Sequence, residues 1–597
     1  LFDNVTIDGG TLALDNRETW NGGVGWAAAN SVVWQSSASV LVNRQPPTAQ
    51  NWAVGVWGGF VGDGWWDQVD EFVQPQSLYR AQLEQRVGSA APASLAKREA
   101  QEPDENAHRS LALAATAEIA RMNAAASAAE PSEKPLALNN GWLVDAKTGE
   151  LFLGKETPIT WWRGSMSPTR ARELGPNLTR FAPGRVGAGL TDDLRKLTEQ
   201  MVAQGAVSLR HHYGLWYDRR RDDHQRMRRA SADVWPPFYE QPWARSGEGE
   251  AADGLSRYDL TKFNPWYFAR LREFAALGRE QGVVLVNEMY FQHNILESGA
   301  HWVDSPWRPI NALQATGFPE PPPFTGDTIR VADWFYDVSH PVRRDLHRAY
   351  IRQSLANLAD QPNVIHTTSA EFSGPRHFVE FWLDVIAEWQ AETGRDPLIA
   401  LSAPKDVQDA ILGDASRAAL IDVIDFTYWW RTDTALYAPR GGENLAPRQH
   451  LRLWKGGRAT AASLAGMVAE YRERFPEKAV ITGLPQPDAW AFLAAGGSFA
   501  ALPKTTDRTL RVSLSRLQPV ESTRAKQWTL AGTDEWFVVA LGPEPVVLDL
   551  SGASRELRVQ RVDPRSGIVI DSTRIRGGTR VELAPAAAET TIVWVTK

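Results

Sequence analysis

Three carboxylates in this sequence follow short apolar runs, where a folded chain can leave an acid facing a cavity. Glu371 comes soon after the run at 363–368, Glu288 after 283–286, and Asp425 closes 423–425. An acid so placed is paired, used as a cap, or available to move protons. Glu371 could pair with Arg376, Glu288 with a nearby cation, and Asp425 could cap a turn. The chemical reading is glycoside cleavage. That reaction needs one protonated carboxyl for the leaving oxygen and one carboxylate that attacks the sugar or activates water. Glu371 is the expected acid, with Glu288 as the first choice of partner and Asp425 as the second.

The neighbours of these acids suit sugar binding. Arg210, His211, His212 and Trp216 follow the run at 206–209; Tyr290, His293 and Asn294 follow Glu288; Tyr428, Trp429 and Arg431 follow Asp425. Indole and phenol rings stack on the C–H faces of sugars, and guanidinium forks onto carboxylates, so a uronic acid is an expected component of the substrate. Two insertions, 213–262 and 291–340, carry Trp235, Trp243, Trp302, Trp307 and Trp334. Long loops in compact domains tend to be functional, and these should wall the cleft, with Trp302 among the binding rings. The plainer alternative is core packing for most of the 26 tryptophans, and a solvated loop for the charge run at 218–224. No His/Asp/Glu spacing matches a metal site, and no cofactor is expected.

The elements that must hold these residues alternate. Apolar runs at 158–162, 206–210, 283–286, 363–368, 398–401, 423–426, 479–482 and 498–502 are separated by amphipathic helical stretches. That order calls for a parallel sheet, and eight such strands suggest a closed (β/α)8 (TIM) barrel over 138–505. Active sites of such barrels lie at the C-terminal ends of the strands, where the three acids fall. Residues 1–88 show short strands broken by Asn and Gly at solenoid spacing, a fragment of a parallel β-helix. Residues 89–137 are rich in Ala, Glu, Lys and Arg, a linker with a helix near 106–129. From 506 to 597 the helical period gives way to strands and turns, an antiparallel β-sandwich.

Composition narrows the classes further. A chain of 597 residues is too long for one core. The formal charge of -7 gives no global field for nucleic acid. With no cysteine, disulfides, thiolate metal sites and cysteine nucleophiles are excluded. No run of about 18 apolar residues suggests a membrane span, and no signal peptide is visible. Leu1 opens inside a strand-like pattern, so the numbered chain reads as trimmed. The sequence leaves the oligomeric state open.

Two resemblances add to this reading. The stretches at 25–31, 46–52 and 74–79 resemble the end of pectate-lyase-like β-helix proteins. The stretches at 213–224, 290–297 and 369–372 are similar to a poorly characterised bacterial group. Its members join such a β-helix to a glycosidase-type barrel and resemble polysaccharide-utilisation enzymes. The resemblance implies a secreted or periplasmic glycoside hydrolase. Retaining barrel glycosidases carry an acid/base Glu at the end of strand four, which Glu371 resembles. Their nucleophile Glu ends strand seven, yet here strand seven runs Val480-Ile481-Thr482-Gly483 with no acid until Asp488. Either the strand count is shifted or the second carboxylate comes from another strand; an empty position favours inversion. Two other functions stay open: a polysaccharide lyase seated on the β-helix, and a non-catalytic carbohydrate-binding protein on a degenerate barrel.

Overall fold

The structure is a computed structural model. It describes residues 1–18, 25–88, 136–158, 194–215, 241–249, 251, 256–296, 302, 305–320, 324–325, 328–329, 331–443, 450–451, 454–522, 524–553, 556–585 and 590–597. The helix expected near 106–129, most of the insertion at 213–262 and parts of that at 291–340 lie outside these residues.

Seven parallel strands form the central sheet: β1 (Lys155–Pro158), β2 (Ala206–His211), β3 (Val284–Phe291), β4 (Val364–Ala370), β5 (Leu398–Ser402), β6 (Val423–Asp425) and β7 (Ala479–Ile481). Helices return the chain between strands: α1 (Leu194–Ala203), α2 (Pro265–Glu280), α3 (Pro341–Leu358), α4 (Arg376–Thr393), α5 (Lys405–Leu412) and α6 (Ala461–Arg474). A seventh helix, α7 (Ala489–Ala494), follows β7. Segment 498–500 then joins the two ends of the sheet. Ser498 N donates to Val480 O, and Gly154 N donates to Ala500 O. This is the arrangement of a (β/α)8 barrel, with an irregular eighth strand.

The strands read as apolar runs because both faces are covered. Val284, Ile365, Ala400, Val423, Ala479, Ile481 and Phe499 form one interior cluster with Leu136 and Leu143. Those two leucines come from the hairpin Leu136–Asn139/Trp142–Asp145, which therefore plugs the end where the strands begin. The outer faces pack on the helices; α4 alone buries Phe378, Phe381, Trp382 and Trp389.

Arg472 of α6 ties this plug down. Its guanidinium donates to the carbonyls of Asn140, Pro476 and Lys478 and to the side chain of Gln518. Gly141 sits against it at φ +75°, and a β-carbon there would overlap the guanidinium. Gly141→Ala is therefore expected to cost about 1–3 kcal/mol, through strain and displacement of Arg472. A calorimetric midpoint equal to that of the unsubstituted protein would contradict this.

Two parallel sheets lie at the N-terminal end. Phe2–Asp3, Val32–Trp34, Trp52–Val54 and Trp65–Asp67 make one, and Thr6–Leu14, Ser37–Asn43 and Trp57–Val61 the other. They share the core of Leu12, Leu14, Val33, Ala38, Leu41, Ala53 and Val56. Asn51 satisfies the turns between strands: its amide donates to Ala28 O and Arg44 O and accepts from Ser31 N. At the other end, a six-stranded antiparallel sheet built from 518–596 shares a core with the pair Val546–Asp549/Arg580–Leu583.

Element boundaries differ from the sequence reading in two informative places. The first strand is Lys155–Pro158, earlier than expected. β3 runs on to Phe291, so Glu288 lies inside the strand and pairs in register with Thr367 of β4. Its polar side chain is tolerated there because a buried cation faces it. At the start of α5 the N-cap is Pro404, and the Asp406 carboxylate of the first turn accepts from Gly441 N.

Candidate active site

Arg210 is the hub of a buried charge cluster. It lies near the end of β2, 9% exposed. Its Nε lies 2.5 Å from Glu156 Oε1, and its Nη1 2.8 Å from Asp425 Oδ2 and 3.5 Å from Glu288 Oε1. Its Nη2 donates to Thr427 Oγ1 at 3.3 Å. The Thr427 hydroxyl donates to Asp425 Oδ1 and accepts from Gly483 N at 2.8 Å. Four strands thus meet at one guanidinium, β1 through Glu156, β2 through Arg210, β3 through Glu288 and β6 through Asp425.

A carboxylate from β1 lies beside the end of β7. A β-carbon on Gly483 would lie 3.1 Å from Glu156 Oε1 and 3.2 Å from Thr427, so a side chain there would have to push these neighbours aside.

Glu371 stands beside this cluster, directly after β4, with its side chain 19% exposed. Its Oε2 is 3.4 Å from His293 Nδ1. The His293 ring is stacked on Phe291, which is also stacked on the His212 ring at 4.3 Å. Tyr428 links the two groups: its hydroxyl accepts from Glu371 N at 2.6 Å. Burial, then Glu288, holds the Tyr428 phenol well above the usual range, so it stays protonated beside those carboxylates.

Burial also sets the charge state. It pushes the Glu288 carboxyl up to about 7, with Glu156 and Asp425 acting in the same direction and Arg210 opposing. Burial raises Glu156 as well. One guanidinium does not fully offset three buried carboxylates, so the cluster tends to keep a proton near neutral pH. The folded pKa of Glu288 lies above its unfolded value, so the stabilisation is present below about 4.5 and is lost as pH rises through about 7. At 1.36 kcal/mol per unit, this shift corresponds to at most about 3 kcal/mol. An amide cannot ionise. Glu288→Gln should thus gain stability relative to the unsubstituted protein between pH 5 and pH 8, measured by urea unfolding; parallel pH profiles would refute it.

Arg210, Glu288, Asp425 and Tyr428 are brought together as the sequence suggested, with Glu371, His293 and His212 alongside. Others are placed elsewhere. Tyr290 is buried and its hydroxyl is bonded to His347 Nδ1 at 2.8 Å. Trp302 is buried against Phe318, and Trp429 is buried with its N–H given to Gln408. These three expected sugar-binding rings are core residues, because each ring has an apolar shell behind a strand or loop. His211 is buried towards Tyr267 and Phe274 of α2. Arg431 pairs with Glu470 at 2.7 Å. Trp216 and the side chain of Asn294 lie outside the described residues. Arg210 and Arg431 both face the protein's own carboxylates, so neither supports the uronate expectation. Glu156 and Thr427 escaped the sequence reading. The signals were an acid within a strand preceding Pro158, and a hydroxyl two residues after Asp425.

Among the described residues no group of His, Asp and Glu could hold a metal ion, and no helix is long and apolar enough to cross a membrane.

A family model described as "Domain of unknown function (DUF6298)" matches residues 95–517. No curated protein matches the chain. Among solved structures it is similar to a glycoside hydrolase family 5 protein from Bacteroides vulgatus. That match has 11% identity and a TM-score of 0.41, covering 77% of this chain and 92% of the other. A second protein from that organism, called a putative glycoside hydrolase in its own description, matches at 10% identity and TM-score 0.41, covering 79% and 83%. TM-scores below 0.5 leave the site geometry as the ground for assigning chemistry.

Proposed function

The chain belongs to the DUF6298 family, and we propose that this member is a glycoside hydrolase acting on a complex polysaccharide or oligosaccharide. The observation that carries the reading is the convergence of Glu371, Glu288 and Asp425 at or near the ends of β4, β3 and β6. One of these acids is partly exposed and another is held near pH 7. Glu371 gives its proton to the glycosidic oxygen as the C–O bond breaks. The partner carboxylate, Glu288 first and Asp425 second, in its ionised form takes a proton from the attacking water as the new C–O bond forms. With Gly483 where a strand-seven acid would stand, inversion is favoured. Tyr428, His293 and His212 are the sugar-binding side chains next to these acids.

The same reading divides the chain into a β-helix fragment (1–88), a linker (89–137), the barrel (138–505) and a β-sandwich (506–597). A polysaccharide too large to enter a cell places the enzyme outside the cytoplasm. The test is a panel of plant and bacterial polysaccharides, with NMR of the first-formed anomer. A new C=C absorbance at the product would instead mark a lyase. Binding without cleavage of any member would leave a carbohydrate-binding protein.

A further inference from the structure

Glu371 holds a backbone conformation that its side chain disfavours. Its φ is +54°, in the left-handed region that non-glycine residues rarely adopt. Such a residue persists only where its surroundings fix it several times over. The Glu371 N–H is held by the Tyr428 hydroxyl, and its carbonyl side is held by one further side chain. Gln292 follows β3, is 1% exposed, and uses its whole amide on the turn after β4. Its Nε2 donates to Glu371 O at 2.8 Å and to Ser373 Oγ at 2.7 Å. Its Oε1 accepts from Ser373 N at 2.8 Å and from the Tyr336 hydroxyl at 2.6 Å. Ser373 N–H can only donate, so it dictates which end of the amide faces it. The Gln292 amide therefore stands in for a peptide unit. It pairs with the backbone on both sides of Phe372, as a neighbouring strand would.

The surroundings lock the turn from other directions as well. Gly442 N donates to Ser373 O at 2.8 Å. Phe372 is fully buried against Tyr336. A β-carbon on Gly374 would meet the Phe372 ring, so the chain can pass only as glycine. Of these contacts, only the Gln292 amide reaches the carbonyl of residue 371 itself. It fixes the peptide that carries the carboxyl towards His293.

We propose that Gln292, braced by Tyr336, is a positioning residue that holds Glu371 in its left-handed conformation and so aims the proton-donating carboxyl. This rests on the reading of Glu371 as the acid. Neither neighbouring residue type would serve. Glutamate lacks the two N–H donors, and asparagine is one methylene shorter.

The test compares Gln292→Leu, Tyr336→Phe and Glu371→Gln with the unsubstituted protein. The substrates are phenyl and 2,4-dinitrophenyl glycosides of the sugar it cleaves. Dinitrophenolate leaves without a proton, whereas phenolate needs one. A misplaced acid therefore lowers turnover on the phenyl glycoside alone, whereas loss of folded protein lowers both equally. Gln292→Leu should widen the gap between the two substrates by up to about 10²-fold, the scale of an ångström-sized misplacement. Tyr336→Phe, which removes one bond of the four, should widen it less and secures the answer if the leucine variant does not fold. Crystal structures should show φ of residue 371 leaving the left-handed region in Gln292→Leu. An unchanged gap together with an unchanged φ overturns the proposal. If Glu371→Gln itself leaves the gap unchanged, the acid assignment fails instead. If no glycoside is cleaved by the unsubstituted protein, the crystal comparison alone decides whether Gln292 sets the conformation.

Discussion

Glu371→Gln should lower turnover on natural glycosides by about 10²–10⁴-fold, the usual contribution of a positioned proton donor, while leaving the unfolding midpoint in place. The amide keeps the shape of the carboxyl but has no acidic proton for the leaving oxygen. Folding should be little affected, because the backbone of this residue is held by Tyr428 and Gln292 and the amide preserves the shape of the carboxyl. The carboxyl lies 3.4 Å from His293 Nδ1, too far for a strong hydrogen bond. Turnover like that of the unsubstituted protein would remove Glu371 from the chemistry and shift attention to Glu288. The same variant assayed on the 2,4-dinitrophenyl glycoside, whose departure needs no acid, with added azide gives a further check. In a retaining enzyme, azide intercepts the glycosyl intermediate and restores rate; in an inverting one, it does not rescue the loss of the acid in that way.

Why Glu371 was legible in the sequence and Glu156 was not follows from what each depends on. Glu371 directly follows an apolar run buried on both faces, and a polar residue at that edge has few places to go but the mouth. Periodicity alone reveals this. Arg210 was equally visible, but its partners were not. They come from β1, β3 and β6, which sequence spacing leaves far apart, so its guanidinium read as a hand held out to the substrate when it is held by the protein's own acids. Glu156 depends on where β1 begins. The apolar, aromatic stretch at 159–162 drew the expected strand a few residues too late, past the acid. Tyr290 and Trp429 show the limit of composition. A ring next to an acid suits a sugar subsite and a core equally, and what separates them is the shell behind each ring. For Tyr290 that shell is Phe335, His347, Tyr350 and Phe378, contributed by elements more than forty residues away. The antiparallel strands at the C-terminal end were legible from turn residues and the loss of helical period, because such pairing is local; at the N-terminal end the short strands were legible from the Asn and Gly that separate them.

Arg210→Met is expected to be among the most destabilising single changes in the barrel, at about 3–5 kcal/mol, because it strands buried carboxylates without their counter-charge. That is a large part of the 5–15 kcal/mol by which a typical protein is stable. The size of the loss should depend on pH in a defined direction. In the unsubstituted protein burial opposes the charge of Arg210, but Asp425, Glu156 and Glu288 hold its pKa well above the usual value, so it is a permanent cation. Arg210 in turn lowers the pKa values of Glu156 and Glu288 against the effect of burial. Without it those carboxyls move further up. They can then be neutralised at pH 5 but must be ionised, or hold protons at a cost, at pH 8. The defect in urea unfolding should therefore be small at pH 5 and largest at pH 8. Arg210→Lys should fall between the two, since one ammonium cannot reach Glu156, Asp425 and Thr427 at once as the guanidinium does. Adding Asp425→Asn to Arg210→Met should recover part of the loss at pH 8, because it removes one of the stranded charges. Strictly additive losses would mean that the two side chains do not interact. A defect that is the same at both pH values would show that methionine fails by packing alone.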